Sequence, residues 1–362
     1  MKPNGSSKKL WLLVLVAMLV LSAFAAGCGG GQQSSSPSPS ASTPSGGGSS
    51  GSGGGSSGSG AGSPSPSPQS SPAEQKPIRT VTMATLPVTD SAAVALAQQQ
   101  GIFAKYGLEV KFNIVSTGPA TTGSVVSGAA EFSQSNYATL FTAKTNNVPI
   151  VIIGEAARAT EGFSAVITAA NSSIKEPKDL ESKRIATAAL GSIGPVSINN
   201  WLKDKGINYE SIQWVQMPFQ DMGAALERNQ IDAAWVVEPF VTIYTKQGGH
   251  RVIFDPFTGP NAGMPIAGYV SSEQFVKENP DVIEAFLKGV QEAGQLAKEN
   301  PNLIREVLPT YTSLSKELIN EISLQVYPTE VDVSQIERVA EAMRNTGALG
   351  ADFDINSILY KP

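Results

Sequence analysis

The chain has 362 residues, 26 Lys and Arg against 31 Asp and Glu for a net charge of −5, and only one cysteine and one histidine. That inventory excludes a disulfide framework and a Cys/His zinc site. It leaves no Cys–His or Ser–His nucleophile pair unless His250 is itself the base, and it offers no basic face for a nucleic acid. The length allows two domains. In chain order, Lys2, Lys8 and Lys9 precede a compact apolar run, Leu10–Val20, and small residues ending in Ala25-Ala26-Gly27-Cys28. Positive charge, apolar core and small residues in that order predict a secretory signal over residues 1–27. The apolar run is shorter than the ~20 residues a spanning helix needs.

Removing the signal takes three lysines and no acid, leaving a net charge of −8. Small residues directly before the sole cysteine resemble the lipobox of bacterial lipoproteins, with Ala25 where that family usually has an aliphatic residue. The resemblance implies that Cys28 is lipidated and becomes the first mature residue. Residues 28–76 are almost entirely Gly, Ser, Pro and Gln, too poor in apolar side chains to offset chain entropy. They are expected to form an unfolded tether with a reach of roughly 35–40 Å.

Elements then follow at regular spacing. Thr80–Leu86 predicts a strand, Pro87 to Asp90 a turn with Asp90 as N-cap, and Ser91–Gln100 a helix. Gly107 stops a short helix, and Leu108–Val115 is the next strand. It ends in Ser116-Thr117-Gly118-Pro119, which opens a helix to about Ser127. Phe132–Gln134 is a short strand, Ser135-Asn136-Tyr137 opens a helix reaching Lys144, and Val148–Gly154 is a buried strand. Ser164–Ala169 is another strand. Strands alternating with helices predict a parallel α/β sheet. The polar stretch Asn171–Lys183 is read as the crossover to a second lobe.

That lobe repeats the grammar. Strand Arg184–Leu190 runs through Gly191 into Ser192-Ile193-Gly194-Pro195 and a helix to about Lys203; Ile212–Met217, a helix over residues 220–229, and Ile231–Val237 follow. Proline at the first helical position costs nothing, and the free first-turn N–H groups can face a ligand. Two strand–S-x-G-P–helix units in separate lobes could therefore hold a small molecule between two helix N-termini. Six residues beyond Glu131 lies Tyr137 and six beyond Asp232 lies Glu238, both expected at the carboxyl ends of strands, where open α/β sheets place ligands. Each could instead serve as a cap or, for Tyr137, in the core. His250, in a Gly-Gly-His-Arg turn, is expected at the surface. Strand Ile266–Ser272 returns the chain to the first lobe. Asn279-Pro280-Asp281 caps a helix with Ile283, Phe286, Leu287 and Val290 on one face, and the remainder is expected to be largely helical, packing on the first lobe without chemistry of its own.

Three stretches together resemble the ABC-transporter substrate-binding proteins of the nitrate/sulfonate/taurine and thiamine-pyrimidine-precursor group. They are Gln100 to Val110 (QGIFAKYGLEV), Lys175 to Leu180 (KEPKDL) and Ala224 to Pro239 (AALERNQIDAAWVVEP). The resemblance implies the type II periplasmic-binding-protein fold, with lobe 1 over residues 77–169 and 267–362 and lobe 2 over 170–266. It also implies a monomeric, non-enzymatic, cofactor-free and metal-free protein, lipid-anchored outside the cell membrane and working with a permease and an ATPase. The cleft would be lined by Pro87, Thr89, Asp90, Ser116, Thr117, Ser135, Asn136, Tyr137, Gly191, Ser192, Ile193, Gly194 and Glu238. Those loops carry two acids and no base, which favours a pyrimidine or other nitrogen-containing solute. Helix N-termini alone would also allow a sulfonate, nitrate or taurine. Rival classes are an enzyme like the fungal pyrimidine synthases of this fold, whose cysteine-rich motif and cleft histidine are missing here, and a ligand-sensing lipoprotein.

Overall fold

A computed structural model describes residues 78–361; the predicted signal, Cys28 and the tether lie outside the described residues. The elements in chain order begin β1 (Arg79–Thr85), α1 (Ala92–Gln99), α2 (Ile102–Lys105), β2 (Leu108–Ile114), α3 (Gly118–Val126), β3 (Phe132–Asn136), α4 (Tyr137–Thr145), β4 (Ile150–Arg158) and β5 (Ser164–Thr168). There follow β6 (Arg184–Thr187), α5 (Ile193–Asp204), β7 (Gln213–Gln216), α6 (Phe219–Glu227), β8 (Ala233–Val237), α7 (Phe240–Thr242), β9 (Arg251–Phe254) and β10 (Pro265–Ser272). Helices α8 (Glu273–Glu278), α9 (Pro280–Glu299), α10 (Asn302–Val307) and α11 (Val333–Asn345) complete the chain.

Two five-stranded sheets share one plan, β2-β1-β3-β10-β4 and β7-β6-β8-β5-β9. In each, three neighbouring strands run parallel and the fourth runs against both of its neighbours. The sheets are thus mixed rather than wholly parallel: the antiparallel members are β5, on which the chain enters the second sheet, and β10, on which it returns to the first. Strand 164–168, expected in lobe 1, pairs instead with β8 and β9. The first crossing therefore falls between Arg158 and Ser164, ahead of the polar stretch that suggested it. The two crossings are tied together. Ala159 N–H donates to Met264 O at 2.9 Å, and Asp255 accepts from Gly162 N–H at 2.8 Å.

The core of the first sheet is set by an aromatic stack under α9. Pro280 starts that helix, and Val282, Ile283, Phe286, Val290, Ala293 and Ala297 recur on its buried face. Phe286 lies 4.2 Å from the Phe132 ring and 5.6 Å from Phe103, with Tyr269 edge-on at 5.4 Å. Such stacking adds ~0.5–1.5 kcal/mol per pair to the burial of each ring.

The C-terminal stretch departs from the helical expectation. Residues 311–332 contain no regular helix and pass the crossings as an irregular strap before α11. Val326 and Arg158 exchange backbone hydrogen bonds at 2.9 and 3.2 Å, and the Thr160 hydroxyl donates to Leu324 O at 2.7 Å. Among the described residues no helix is long and apolar enough to cross a membrane.

Candidate functional site

A cavity of about 40 Å³ lies between the carboxyl edges of the two sheets. From the first come Leu86, Val88 and Asp90 after β1, Gly118 and Thr121 of α3, Gln134, Ser135 and Asn136 of β3, and Ile266. From the second come Ala188, Ala189, Ser192 and Ile193 after β6, Phe219 of α6, and Trp235 and Val237 of β8. Open α/β sheets place their loops at this edge, so the topology brings the two S-x-G-P turns face to face. A side-chain carbon placed on Gly118 would touch the Ala189 methyl at 3.9 Å.

Asn136 joins the two sides. Its side-chain oxygen caps α4 by accepting from Thr139 N–H at 3.0 Å, and it also accepts from Ile193 N–H at the start of α5 at 3.2 Å. The N-caps of α3 and α5, Thr117 and Ser192, make no side-chain cap bond. Pro119 and Pro195 carry no N–H and Ile193 N–H is already held by Asn136, so what the two helix starts offer the cavity is chiefly the positive end of each dipole.

Among the described residues, Asp90 is the only charged group lining it. Its residue sits in a 3₁₀ turn, Thr89–Ser91, and does not cap α1; Ser91 holds that position. The carboxylate is 6% exposed. One oxygen accepts from Gln134 Nε2 at 2.8 Å, and the other, Oδ1, has no hydrogen-bond partner. Burial pushes Asp90 up to about 6, opposed by the neighbouring Gln325 and Gln134 amides. Ser135 Oγ and Trp235 Nε1, both buried at the cavity, also lack partners. A buried polar atom without a partner costs ~1–3 kcal/mol, so three around one cavity mark a place built for a polar solute.

Sequence reading missed Trp235, which stands in an apolar strand and looks like core. The signal was Gly194 across from it. A side-chain carbon there would fall 2.3 Å from the indole, so only glycine lets Trp235 lie on the first turn of α5. Gly194 itself is buried behind the indole and does not line the cavity.

Of the expected site residues, Asp90, Ser135, Asn136, Ser192 and Ile193 line the cavity. Pro87 and Thr89 are buried in the turn beside it, Ser116 and Gly191 are exposed, and Thr117 is half-buried. Tyr137 is fully buried in the core against Phe141. Glu238 directly follows β8 and does not line the cavity. Its Oε1 accepts from Thr242 Oγ1 at 2.8 Å and Ser323 N–H at 3.0 Å, and its Oε2 accepts from Thr242 N–H at 3.0 Å. Burial nonetheless pushes it up to about 7. Arg158, at the end of β4, is held by Glu155. His250 is buried rather than at the surface, its ring nitrogens beside the carbonyls of Tyr244 and Gly223, both at 3.3 Å. The ring N–H can donate to one of these carbonyls, which is what makes burial of that imidazole tolerable.

The chain matches the NMT1/THI5-like family model over residues 88–304. It is 27% identical over 209 residues to the taurine-binding periplasmic protein of Escherichia coli K12, a match that covers 57% of this chain and 63% of that relative, under two thirds of its length. Among solved structures it superposes on the ligand-binding component of an ABC-type import system from Staphylococcus aureus with a TM-score of 0.68 at 13% identity, covering 78% of this chain and 97% of the other. The alkanesulfonate-binding protein SsuA of Xanthomonas axonopodis pv. citri, bound to MOPS, gives a TM-score of 0.67 at 14% identity, covering 79% and 99%. The two sheets, the double crossing and these superpositions give the fold as the two-lobed α/β fold of periplasmic binding proteins, and the chain belongs to the NMT1/THI5-like family.

Proposed function

We propose that this protein is the extracytoplasmic solute-binding component of an ABC importer, closing its two lobes on a small organic molecule and presenting it to a membrane permease. The observation that carries this reading is the cavity itself. Its walls come from the matching edges of two separate sheets, and the three unpartnered polar atoms facing it belong to both sides. A cavity of about 40 Å³ holds only a few waters, so lobes joined by two crossings must separate to admit a solute and close to hold it. The polar groups lining it are suited to hydrogen-bond a solute, which favours binding over catalysis. Names of the relatives agree, and the signal and Cys28 read from the sequence would place the protein, lipid-anchored, where an importer needs it.

The solute is proposed to carry nitrogen. Asp90 Oδ1 can only accept, so it calls for an ammonium or N–H donor. A pyrimidine or another nitrogen-containing compound meets that requirement. The Trp235 Nε1 donor and the positive ends of the two helix dipoles favour a second feature, an oxyanion or carbonyl. This is the specific ground for the sulfonate, nitrate or taurine alternative, and an aminosulfonate would satisfy both ends.

A thermal-shift screen of the purified protein with aminomethyl-pyrimidines, taurine, alkanesulfonates, nitrate and aromatic carboxylates tests the reading. A ligand at ~100 times its Kd adds roughly 2.7 kcal/mol, a shift of several degrees. A nitrogen-bearing hit is the expected result. No shift with any compound would count against solute capture, and a hit confined to simple sulfonates or nitrate would remove Asp90 from recognition.

A further inference from the structure

We infer that Gln325 is a positioning residue for Asp90: its side-chain amide, brought by the C-terminal strap, is the partner that Asp90 Oδ1 takes in the solute-free protein and gives up to a solute's donor. Residue 325 lies beyond the stretch that matches the family model, which ends at residue 304. The geometry starts from Thr89, the neighbour of Asp90. The Thr89 hydroxyl donates to Gln325 Oε1 at 2.6 Å, which fixes the amide's oxygen on the threonine and leaves its nitrogen as the free end. Gln325 is 5% exposed, and its Nε2 has no hydrogen-bond partner. Asp90 Oδ1 is likewise buried and without one, and the Gln325 amide is close enough to stabilise the Asp90 anion. Gln325 Nε2 and Asp90 Oδ1 are thus a buried donor and a buried acceptor, each unspent, on side chains brought together through Thr89, and pairing them would satisfy both.

The strap is held firmly enough to make this a positioned group. The Tyr327 hydroxyl donates to Thr89 O at 3.1 Å and the Tyr311 hydroxyl to Val88 O at 3.0 Å, so three strap side chains grip the turn that carries Asp90. The same strap reaches the second lobe through Ser323 N–H on Glu238 and the first crossing through Thr160 on Leu324. The groups that face Asp90 are Gln134 from β3, Tyr269 from β10, and Tyr311, Tyr327 and Gln325 from the strap, all uncharged near neutral pH. Gln325 is therefore the adjustable donor beside an acid whose other oxygen Gln134 already holds. A solute amine must displace it, so the strap sets both the basicity of Asp90 and the strength of its competition with solute.

The displacement half of the inference rests on the proposed solute-binding function; the coupling half does not, and the experiment separates them. The Asp90 carboxyl is titrated by ¹³C NMR in the full-length protein without solute, in wild type, Gln325→Met and Gln325→Glu, with Asp90→Asn to assign the signal. Methionine removes the donor, and the Asp90 midpoint is expected to rise by about half a pH unit or more. Glutamate keeps an acceptor for Thr89, so it preserves the packing, yet sets a like charge beside Asp90 and raises the midpoint further. A purely structural glutamine would change stability and leave the midpoints alone; unmoved midpoints in both folded variants overturn the inference. Calorimetry with taurine at pH 8 tests displacement. Gln325→Met should bind roughly five-fold more tightly, a neutral hydrogen bond's worth of lost competition. Equal or weaker binding overturns displacement. Failure of taurine to bind either protein overturns displacement and the amine reading of the solute together, while a shifted midpoint would still support the coupling.

Discussion

Replacing Asp90 by Asn should make the solute-free protein more stable and the binding protein worse. The argument starts from the wild-type carboxylate, 6% exposed, with one oxygen unpartnered and its pKa raised from 3.8 to about 6 by burial. A raised acid contributes stability that is full below the unfolded value and lost as pH rises through the folded one. At pH 7 the native state therefore carries a penalty of about 3 kcal/mol, 1.36 kcal/mol for each unit of that rise. Asn keeps an acceptor for Gln134 and sheds the charge. In urea at pH 7 the Asp90→Asn protein should gain up to about 3 kcal/mol; the gain should shrink as pH falls from 6 to 4 and vanish below. Binding moves the other way. Truncating a hydrogen-bonded charge pair costs ~2–5 kcal/mol, roughly 30-fold or more in Kd for an amine-bearing solute. With a pKa of about 6, the wild-type Kd should weaken roughly ten-fold between pH 7 and pH 5, and the Asn protein should be flat over that range. Calorimetry with taurine and an aminomethyl-pyrimidine at pH 5, 6 and 7 reads both curves. A flat wild-type profile, or an Asn variant of lower stability and undiminished affinity, would refute the reasoning.

Three further outcomes follow from packing. Trp235→Phe keeps the ring and removes the unpartnered N–H; stability measured in urea should hold within ~1 kcal/mol, while affinity for a solute bearing an oxyanion or carbonyl, read by calorimetry, should fall roughly five-fold. Gly194→Ala drives a methyl to within 2.3 Å of the Trp235 ring, so it should cost ~1–3 kcal/mol in thermal unfolding and weaken binding of every solute, whatever its charge. Phe286→Ala, at the centre of the Phe132–Phe103–Tyr269 stack, should cost ~3–5 kcal/mol by urea denaturation yet leave Kd unchanged at 15 °C, because the ring lies outside the cavity.

Much of the architecture is legible in local pattern. The S-x-G-P turns at Ser116 and Ser192 each follow a strand and open a helix, and Pro280 with the Ile283/Phe286/Val290 face announces α9. What fails is whatever depends on partners distant in sequence. Strand 164–168 has nothing in its own residues to say that it pairs with β8 and β9, and the polar run after it looks more like a crossing than the short 159–163 link does. His250 reads as a turn residue because the carbonyls that receive it belong to Tyr244 and Gly223. Trp235 reads as core because strand periodicity cannot show which apolar side chain ends at a cavity. The strap is the extreme case: Gln325 acts on Thr89 across 236 positions.

The two acids show the same limit most sharply. Asp90 and Glu238 both end up buried at the carboxyl edge of a sheet, both are raised by desolvation, and the sequence gives equal reason to aim either at a ligand. Position does not separate them; the use of their oxygens does. Both oxygens of Glu238 already accept from the protein, Oε2 from Thr242 N–H and Oε1 from the Thr242 hydroxyl and from Ser323 N–H, 85 positions away. Asp90 has one oxygen held by Gln134 and one unspent beside the cavity. A buried carboxylate whose second oxygen has only the exchangeable Gln325 amide to turn to is costly to keep, and a charged donor on a solute would relieve that cost. In the proposed reading, recognition therefore falls to the acid whose burial is least well compensated by the protein. Glu238, equally buried and better satisfied, instead ties lobe 2 to the strap that carries Gln325.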